Sequence, residues 1–387
     1  MNKMKPRTLF IALSILLGFA TAQAQSDKSI SDNGAKATYL LVGCYAKSDE
    51  EAIKIYRFDE QTAHAEYICG AKGIPNPAFL TSSANGERIY AIGDEAWKLS
   101  TANTLHFDKK RGELSLLGSQ STDGGLPIYI TLSPKEDFVL TANYMGGSIT
   151  AFALDKAGNL LPDKQLIAFK GSGPNTKRQE QPHLHCVTFT SDGKYLLATD
   201  LGTDNIYQFP VDRKPEPGNA GSLLDESAMD CIKMEAGSRP RHICFHPNGK
   251  FAYLVSELSG NITTFSYNKG SLKRLQTIVC DPFTVDGSAD IHVSSDGKYL
   301  YASKRLKEDG IVIYSIHPKK GTLTQVGYQP TGLYPRSFAI SLDERYVTVV
   351  CRDSNCIQIF ERNKETGLLK DTGKSIKLDR PAFVKFL

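Results

Sequence analysis

The side chains in this chain best suited to chemistry are arginines, histidines and a glutamate placed beside short apolar runs. Pro182-His183-Leu184-His185 opens one run, Arg239-Pro240-Arg241-His242 another, and Tyr334-Pro335-Arg336-Ser337-Phe338 a third. The strand pairs that follow these openings end on Asp200, on Glu257 and on Arg352, and a fourth pair ends on Lys304-Arg305. Guanidinium groups bind carboxylates and phosphates through paired hydrogen bonds. A carboxylate or imidazole set among them has its pKa tuned by their charge and can act as a general base on water. The set suits polar chemistry on an anion. Taken singly, each residue has a plainer reading, as a solvated strand-end charge or a histidine packed beside proline. Four guanidiniums brought together would repel one another unless an anion or acid offset them. Salt bridges between neighbouring elements are the structural alternative.

Convergence depends on the elements that carry these residues. His185 to Thr190 and Lys194 to Thr199 read as two strands joined by a Ser-Asp-Gly turn, where glycine supplies the positive φ of a tight hairpin. The pattern returns roughly every fifty residues, the signature of a repeat architecture. Gly86, Glu136, Gly249, Gly297 and Glu344 hold the place of Gly193. A third strand follows each hairpin, as over Ile149 to Leu154 and Ile311 to Ile316. A fourth opens on Gly-x-Leu, as at Gly158-Asn159-Leu160 and Gly321-Thr322-Leu323. Four antiparallel strands per repeat describe the blade of a β-propeller. Six blades are complete. Thr38 to Cys44, Ala52 to Phe58 and Ala65 to Cys69 supply three strands of one more, and Arg380 to Phe386 the fourth. The predicted fold is all-β: a seven-bladed propeller over 37–387, closed by its C-terminal strand. Helical periodicity is absent from 37 onward.

In such a blade the first strand runs from the top face and the second returns to it. The start of every first strand and the end of every second therefore meet around one mouth of the central channel. Pro77, Pro127, Pro240, Pro335 and Pro381 mark the starts, followed by Ala78, Ile128, Arg241, Arg336 and Ala382, with His185 in the matching place. Tyr45, Asp94, Tyr144, Leu201, Glu257, Arg305 and Arg352 mark the ends. The predicted site is Glu257, His185 and Arg241, with His183, Asp200, His242, Arg305, Arg336, Arg352 and Tyr144 around them. The insertion Lys170 to Gln181, with Lys177 and Arg178, precedes a first strand and overhangs this mouth as a candidate flexible lid. Asp212 to Asp230 lies on the opposite face.

The chain begins with Lys3, Lys5 and Arg7, an apolar stretch from Thr8 to Phe19, and Ala22-Gln23-Ala24. That order is a secretory signal, so cleavage after Ala24 and export, to the periplasm, are expected, with 25–36 as a disordered lead-in. Of 46 basic and 42 acidic residues, three of the basic ones leave with the signal. The remainder is close to neutral and carries no basic run, which argues against nucleic-acid binding. No membrane association is expected after cleavage, and the protein should be a monomer or weak dimer. Most of the eight cysteines sit inside strand-like runs as small apolar groups, with no zinc spacing. Cys351 and Cys356 could face each other across a hairpin as a disulfide.

Pro182-His183-Leu184-His185, Arg239-Pro240-Arg241-His242, Ser256-Glu257-Leu258, Ala289-Asp290-Ile291-His292 and Tyr334-Pro335-Arg336-Ser337-Phe338 together resemble the lactonase family of seven-bladed propellers. That family includes propeller-type 6-phosphogluconolactonases and carboxymuconate cyclases. The likeness covers essentially all of the chain after the signal. It implies lactone ring-opening or ring-closing on an anionic substrate, without metal or cofactor. It also implies that the His183/His185 motif, Arg241, Glu257 and the Arg336 motif lie at the channel mouth. A cytoplasmic sugar-phosphate lactonase would not need an export signal, and this chain departs from that pattern. A carboxymuconate-type cyclase and a non-enzymatic propeller that binds a sugar acid or a protein are the alternatives.

Overall fold

Each repeat folds as one four-stranded antiparallel sheet, and seven such sheets form a ring. The computed structural model describes Met1 and residues 37–95, 99–211, 216, 218–280 and 287–387. The expected secretory signal, 1–24, and lead-in, 25–36, lie outside the described residues apart from Met1. Blade 1 pairs the C-terminal strand Pro381–Phe386 with Thr38–Cys44, Ile53–Asp59 and His64–Ala71. Leu41 pairs with Lys385 and Val42 with Val384, so the two ends of the chain close the ring edge to edge. The inner strands of blades 2 to 7 are Leu80–Ser82, Pro127–Leu132, Leu184–Phe189, Pro240–Phe245, Ser288–Val293 and Pro335–Ile340. Each touches the inner strand of the next blade. Among the described residues the only helical pieces are three single 3-10 turns.

The burial pattern explains why these segments are strands. Thr38–Cys44, Phe138–Asn143 and Ser148–Leu154 are buried along their whole length, because neighbouring blades cover both faces of the middle strands. Outermost strands such as Ser271–Val279 are exposed at most positions. The apolar core lies between blades. Leu140, Ala142 and Ile149 of blade 3, for example, pack with Leu184, Val187 and Leu196 of blade 4.

The recurring hairpin is held by its own polar residues. Asp192 Oδ1 accepts from Thr190 Oγ1 at 2.7 Å and from Lys194 N at 3.1 Å, while Gly193 turns the chain at φ +65°. Asp296 and Asp343 repeat the arrangement with Ser294 and Ser341.

At the opposite end of the inner strands two backbone devices recur. The residue before each opening proline has positive φ: Asn76 at 47°, Leu126 at 47°, Arg239 at 58°, Tyr334 at 60° and Arg380 at 36°. Proline disfavours the right-handed helical region for its predecessor, and side chains rarely adopt positive φ. These residues are therefore sharp, costly corners fixed by the surrounding fold. Immediately afterwards the register with the second strand slips, between Pro127 and Tyr129, Leu184 and Cys186, Pro240 and His242, Ser288 and Ile291, and Pro335 and Ser337. A bulge of this kind re-aims side chains and puts two residues opposite one. A Cβ on Gly43, beside the corner at Pro77, would fall 2.2 Å from the Pro77 carbonyl oxygen, so the approach there requires glycine.

The insertion Lys170 to Gln181 is tied down. Gln179 is fully buried, donates Nε2–H to the Leu201 carbonyl at 3.0 Å and accepts from Asn175 N at 3.3 Å. Cys351 and Cys356 are cross-strand partners, as expected, but both are free thiols. Cys351 Sγ–H instead donates to Gln358 Oε1 at 3.4 Å, which turns it away from its partner. The insertion after blade 4's third strand is described only in part, through the turns Ala220–Ser222 and Glu226–Ala228.

Candidate functional site

The mouth at the proline end is organised around one carboxylate. Glu257 follows the second strand of blade 5, and its side chain is 12% exposed. Its Oε2 accepts from Arg241 Nε at 3.0 Å and lies 3.5 Å from Arg305 Nη2 and 3.8 Å from His185 Nε2. Its Oε1 accepts from Arg178 Nη2 at 3.0 Å, which brings the insertion over the mouth. Burial would raise the pKa of Glu257, but Arg305, Arg241 and Arg178 hold it down at about 2. It is an ionised anchor, with little tendency to take up a proton.

Arg241 is the most committed guanidinium. It is buried, and besides Glu257 it donates through Nη1 to the Ala289 carbonyl and, at 3.1 Å, to His242 Nε2. Burial and Arg305 lower its pKa to about 10, so it stays charged at neutral pH. Arg305 donates through Nε to Gly287 O at 2.9 Å and through Nη1 to Tyr334 Oη at 3.1 Å. Tyr334 lies under Arg352, whose guanidinium is 3.4 Å from the ring centre and forks onto Asp353 at 2.6 and 3.0 Å. Burial pushes the Tyr334 phenol up, yet Arg305, Arg336 and Arg352 bring its pKa below the ordinary value. Arg336 differs from the others. It stands 5.6 Å over the Tyr45 ring and, among the described residues, pairs with no carboxylate.

His185 is buried beside Glu257, edge-on to Tyr144 at 5.9 Å and to His242 at 5.2 Å. Burial and then Arg241, His242, Arg336 and Arg305 drive its pKa well below 6.5, so the ring is neutral at physiological pH. Among the described residues its Nδ1 has no hydrogen-bond partner. The mouth thus combines a neutral imidazole, an ionised carboxylate and several guanidiniums, a set able to polarise a carbonyl and take a proton from water.

Other expected site residues lie around this group rather than in it. His183 stacks on Tyr144 at 4.3 Å and bridges the Tyr144 carbonyl at 2.9 Å and Glu180 at 3.2 Å, so it buttresses Tyr144. Tyr144 in turn hydrogen-bonds Arg178. Asp200 does not face the channel mouth. It is fully buried and accepts from His183 N at 2.7 Å, Gly202 N at 2.8 Å and Thr203 Oγ1 at 2.5 Å, which fixes the turn after its strand. Burial raises its pKa against those bonds. His242 sits one layer beneath the mouth, because the bulge turns both it and Arg241 inward.

That lower layer holds a residue absent from the expected set. Asp290 is buried on blade 6, and its Oδ1 accepts from His242 Nδ1 at 3.0 Å. Its Oδ2 lies 3.1 Å from His292 Nε2 and accepts from Phe338 N at 3.3 Å. Burial would raise its pKa, but His292 and His242 pull it well down. A proton on His242 Nδ1 leaves Nε2 as the acceptor from Arg241, so Asp290 fixes the tautomer that holds Arg241. Burial and Arg241 lower the His242 pKa to about 4, which keeps this arrangement intact at neutral pH. Asp290 escaped the strand-start alignment because Ser288 replaces the proline on blade 6. Arg178 reaches the site from an insertion with no repeat register.

Comparison with known proteins agrees with this architecture. The sequence profile described as "Lactonase, 7-bladed beta-propeller" matches residues 39–386. A 6-phosphogluconolactonase of Formosa agariphila is 34% identical over 339 residues, 86% of this chain and 94% of that protein. One of Bacillus subtilis is 33% identical over 354 residues, 89% of this chain and 97% of that protein. The solved structure of the periplasmic gluconolactonase of Pseudomonas aeruginosa aligns with a TM-score of 0.82 at 28% identity, covering 91% of this chain and 99% of that one. A structure from Bacteroides fragilis reaches a TM-score of 0.87 at 44% identity, covering 92% and 99%.

Proposed function

The chain belongs to the lactonase family of seven-bladed β-propellers and is a lactone hydrolase, and from that premise we propose that it opens an anionic sugar lactone such as 6-phosphoglucono-δ-lactone. The observation that carries this reading is the grouping of ionised Glu257, neutral His185 and Arg241, beside an Arg336 that has no carboxylate partner among the described residues. Arg336 takes the phosphate or carboxylate of the substrate. Arg241, locked in direction by Glu257, His242 and Ala289, faces the lactone carbonyl and stabilises the oxyanion of the tetrahedral intermediate.

Water is the nucleophile. His185 accepts its proton, since the neutral ring is the better base and Glu257 is held near pKa 2. The imidazolium so formed lies beside the Glu257 carboxylate, which stabilises it as the carboxylate of a catalytic triad does. Collapse of the intermediate expels the ring oxygen, which takes the proton back from His185, and the product is the open hydroxy acid. Substrate anion at Arg336 also offsets part of the positive field that depresses His185, so binding raises the basicity of the catalytic ring. We further propose export, which the signal-like sequence of residues 1–24 supports.

A coupled assay with 6-phosphogluconolactone and unphosphorylated gluconolactone tests this. Faster opening than in buffer is expected, with the phosphorylated lactone preferred and the preference lost in Arg336→Gln. Hydrolysis at the buffer rate, in a protein that melts cooperatively, overturns the reading.

A further inference from the structure

The channel has a second end. Below the plane of His242 and Asp290 it widens into a cavity of about 580 Å³ that opens on the hairpin-turn face. Phe79, stacked on Tyr129 at 3.9 Å and tilted against Phe383 at 4.5 Å, forms an aromatic ceiling to this cavity. Two residues further along, five of the seven inner strands carry a polar side chain. Thr81, Thr131 and Thr188 contribute hydroxyls from three successive blades, Lys385 an ammonium from the closing strand and His292 an imidazole from blade 6.

The charges of this cavity are unevenly matched. Asp290 accepts hydrogen bonds on both oxygens, from His242 and Ile291 N on one and from His292 and Phe338 N on the other. Glu344, also at the rim, is held by Arg362 Nη1 at 2.9 Å and Ser295 N at 2.8 Å. Lys385 has no such partner: among the described residues its ammonium makes no ion pair and no hydrogen bond. Among the described residues the three threonine hydroxyls likewise have no hydrogen-bond partner. Half-burying an ammonium without a counter-charge is costly, and burial lowers the pKa of Lys385 accordingly. An alternating strand position inside a channel is a poor place for a lysine unless something negative joins it.

We propose that this lower cavity is a second ligand site, separate from the arginine mouth, for a small organic acid with an apolar or aromatic body. One ammonium and a row of neutral hydroxyls match a single carboxylate, while the aromatic ceiling matches an apolar body. Among the described residues no guanidinium lines the cavity, and that separates its chemistry from the mouth above, which is built for a more highly charged group. The volume lies within the range of small-molecule sites. The site stands on its own geometry and does not depend on which lactone the upper mouth opens.

Benzoate titrated into the purified full chain, followed by calorimetry and by the ring-proton NMR signals of His292, is the direct test. Saturable binding is expected, with His292 moving, affinity falling at least tenfold in Lys385→Gln, and no change in Arg336→Gln. Inorganic phosphate should show the reverse dependence on the two variants. If Lys385→Gln fails to fold, Thr188→Val and the wild-type NMR titration carry the test. Absence of saturable benzoate binding overturns the proposal. So does binding that leaves His292 unmoved, or that is lost in Arg336→Gln.

Discussion

The two ends of one channel handle charge in opposite ways. At the proline end Glu257 engages Arg178, Arg241 and Arg305, and each of those guanidiniums is fixed by further partners. At the hairpin end Lys385 stands without a carboxylate among the described residues. The seven inner strands run through both ends, but the upper network also draws Glu257 and Arg305 from the ends of second strands and Arg178 from an insertion. A closed network pre-organises a site at the expense of buried charge, whereas an unmatched charge leaves the choice of counter-ion to a ligand. Between them Asp290, with an imidazole on each oxygen, is the joint.

Substitutions that undo the upper network should have the largest effect. Glu257→Gln leaves Arg241 and Arg305 uncompensated and removes the partner of the His185 imidazolium, so kcat should fall by about 10³ in steady-state assays. Its acid stability should change as well. A carboxylate held near pKa 2 adds stability that is complete above its ordinary value of 4.5 and fades as pH falls toward 2. Urea midpoints measured from pH 6 to pH 3 should therefore drop more steeply in wild type than in Glu257→Gln. His185→Asn should cost roughly 10²-fold in kcat and abolish the acid limb of kcat/KM. In wild type that limb should lie below pH 6.5, because the ring stays neutral into the acid range.

Asp290→Asn probes the joint. It frees the His242 tautomer without touching substrate, so a 10- to 100-fold loss in kcat with little change in KM is expected. An unchanged kcat would show that the two layers act independently. Arg336→Lys keeps the charge but loses the fork, and KM for a phosphorylated lactone should rise about tenfold with kcat nearly constant. Smallest is the effect of reductant: with Cys351 and Cys356 as free thiols, dithiothreitol should leave the melting temperature within about 1 °C.

The fold was legible because its signals are local and repeated. The Ser/Thr-x-Asp-Gly turn recurs since its aspartate caps its own backbone, and the orphan terminal strands fit only a closed ring. The strand-end alignment also located Glu257, Arg241, Arg305 and His185 in one place. It could not foresee the bulges, since a register slip depends on how paired strands twist and not on residue type. Without the bulge His242 reads as a flank of Arg241 and not as its support. Asp200 looked like a mouth residue because strand alignment gives position along an axis, while its side chain turns back to bind amides of its own loop. Asp290 was hidden by a missing proline, whereas Arg178 was read over the mouth with its insertion, and only its pairing with Glu257 lay beyond the repeat register.

The left-handed corner before each opening proline has a further consequence. Because the corner fixes the direction of the next residue through the main chain, that residue is a socket filled by side chains of very different kinds. Alanine fills it in Ala78 and Ala382, isoleucine in Ile128, and arginine in Arg241 and Arg336, on the same local path. New recognition chemistry on this ring can therefore arise one socket at a time, with the rigid frame left as it stands.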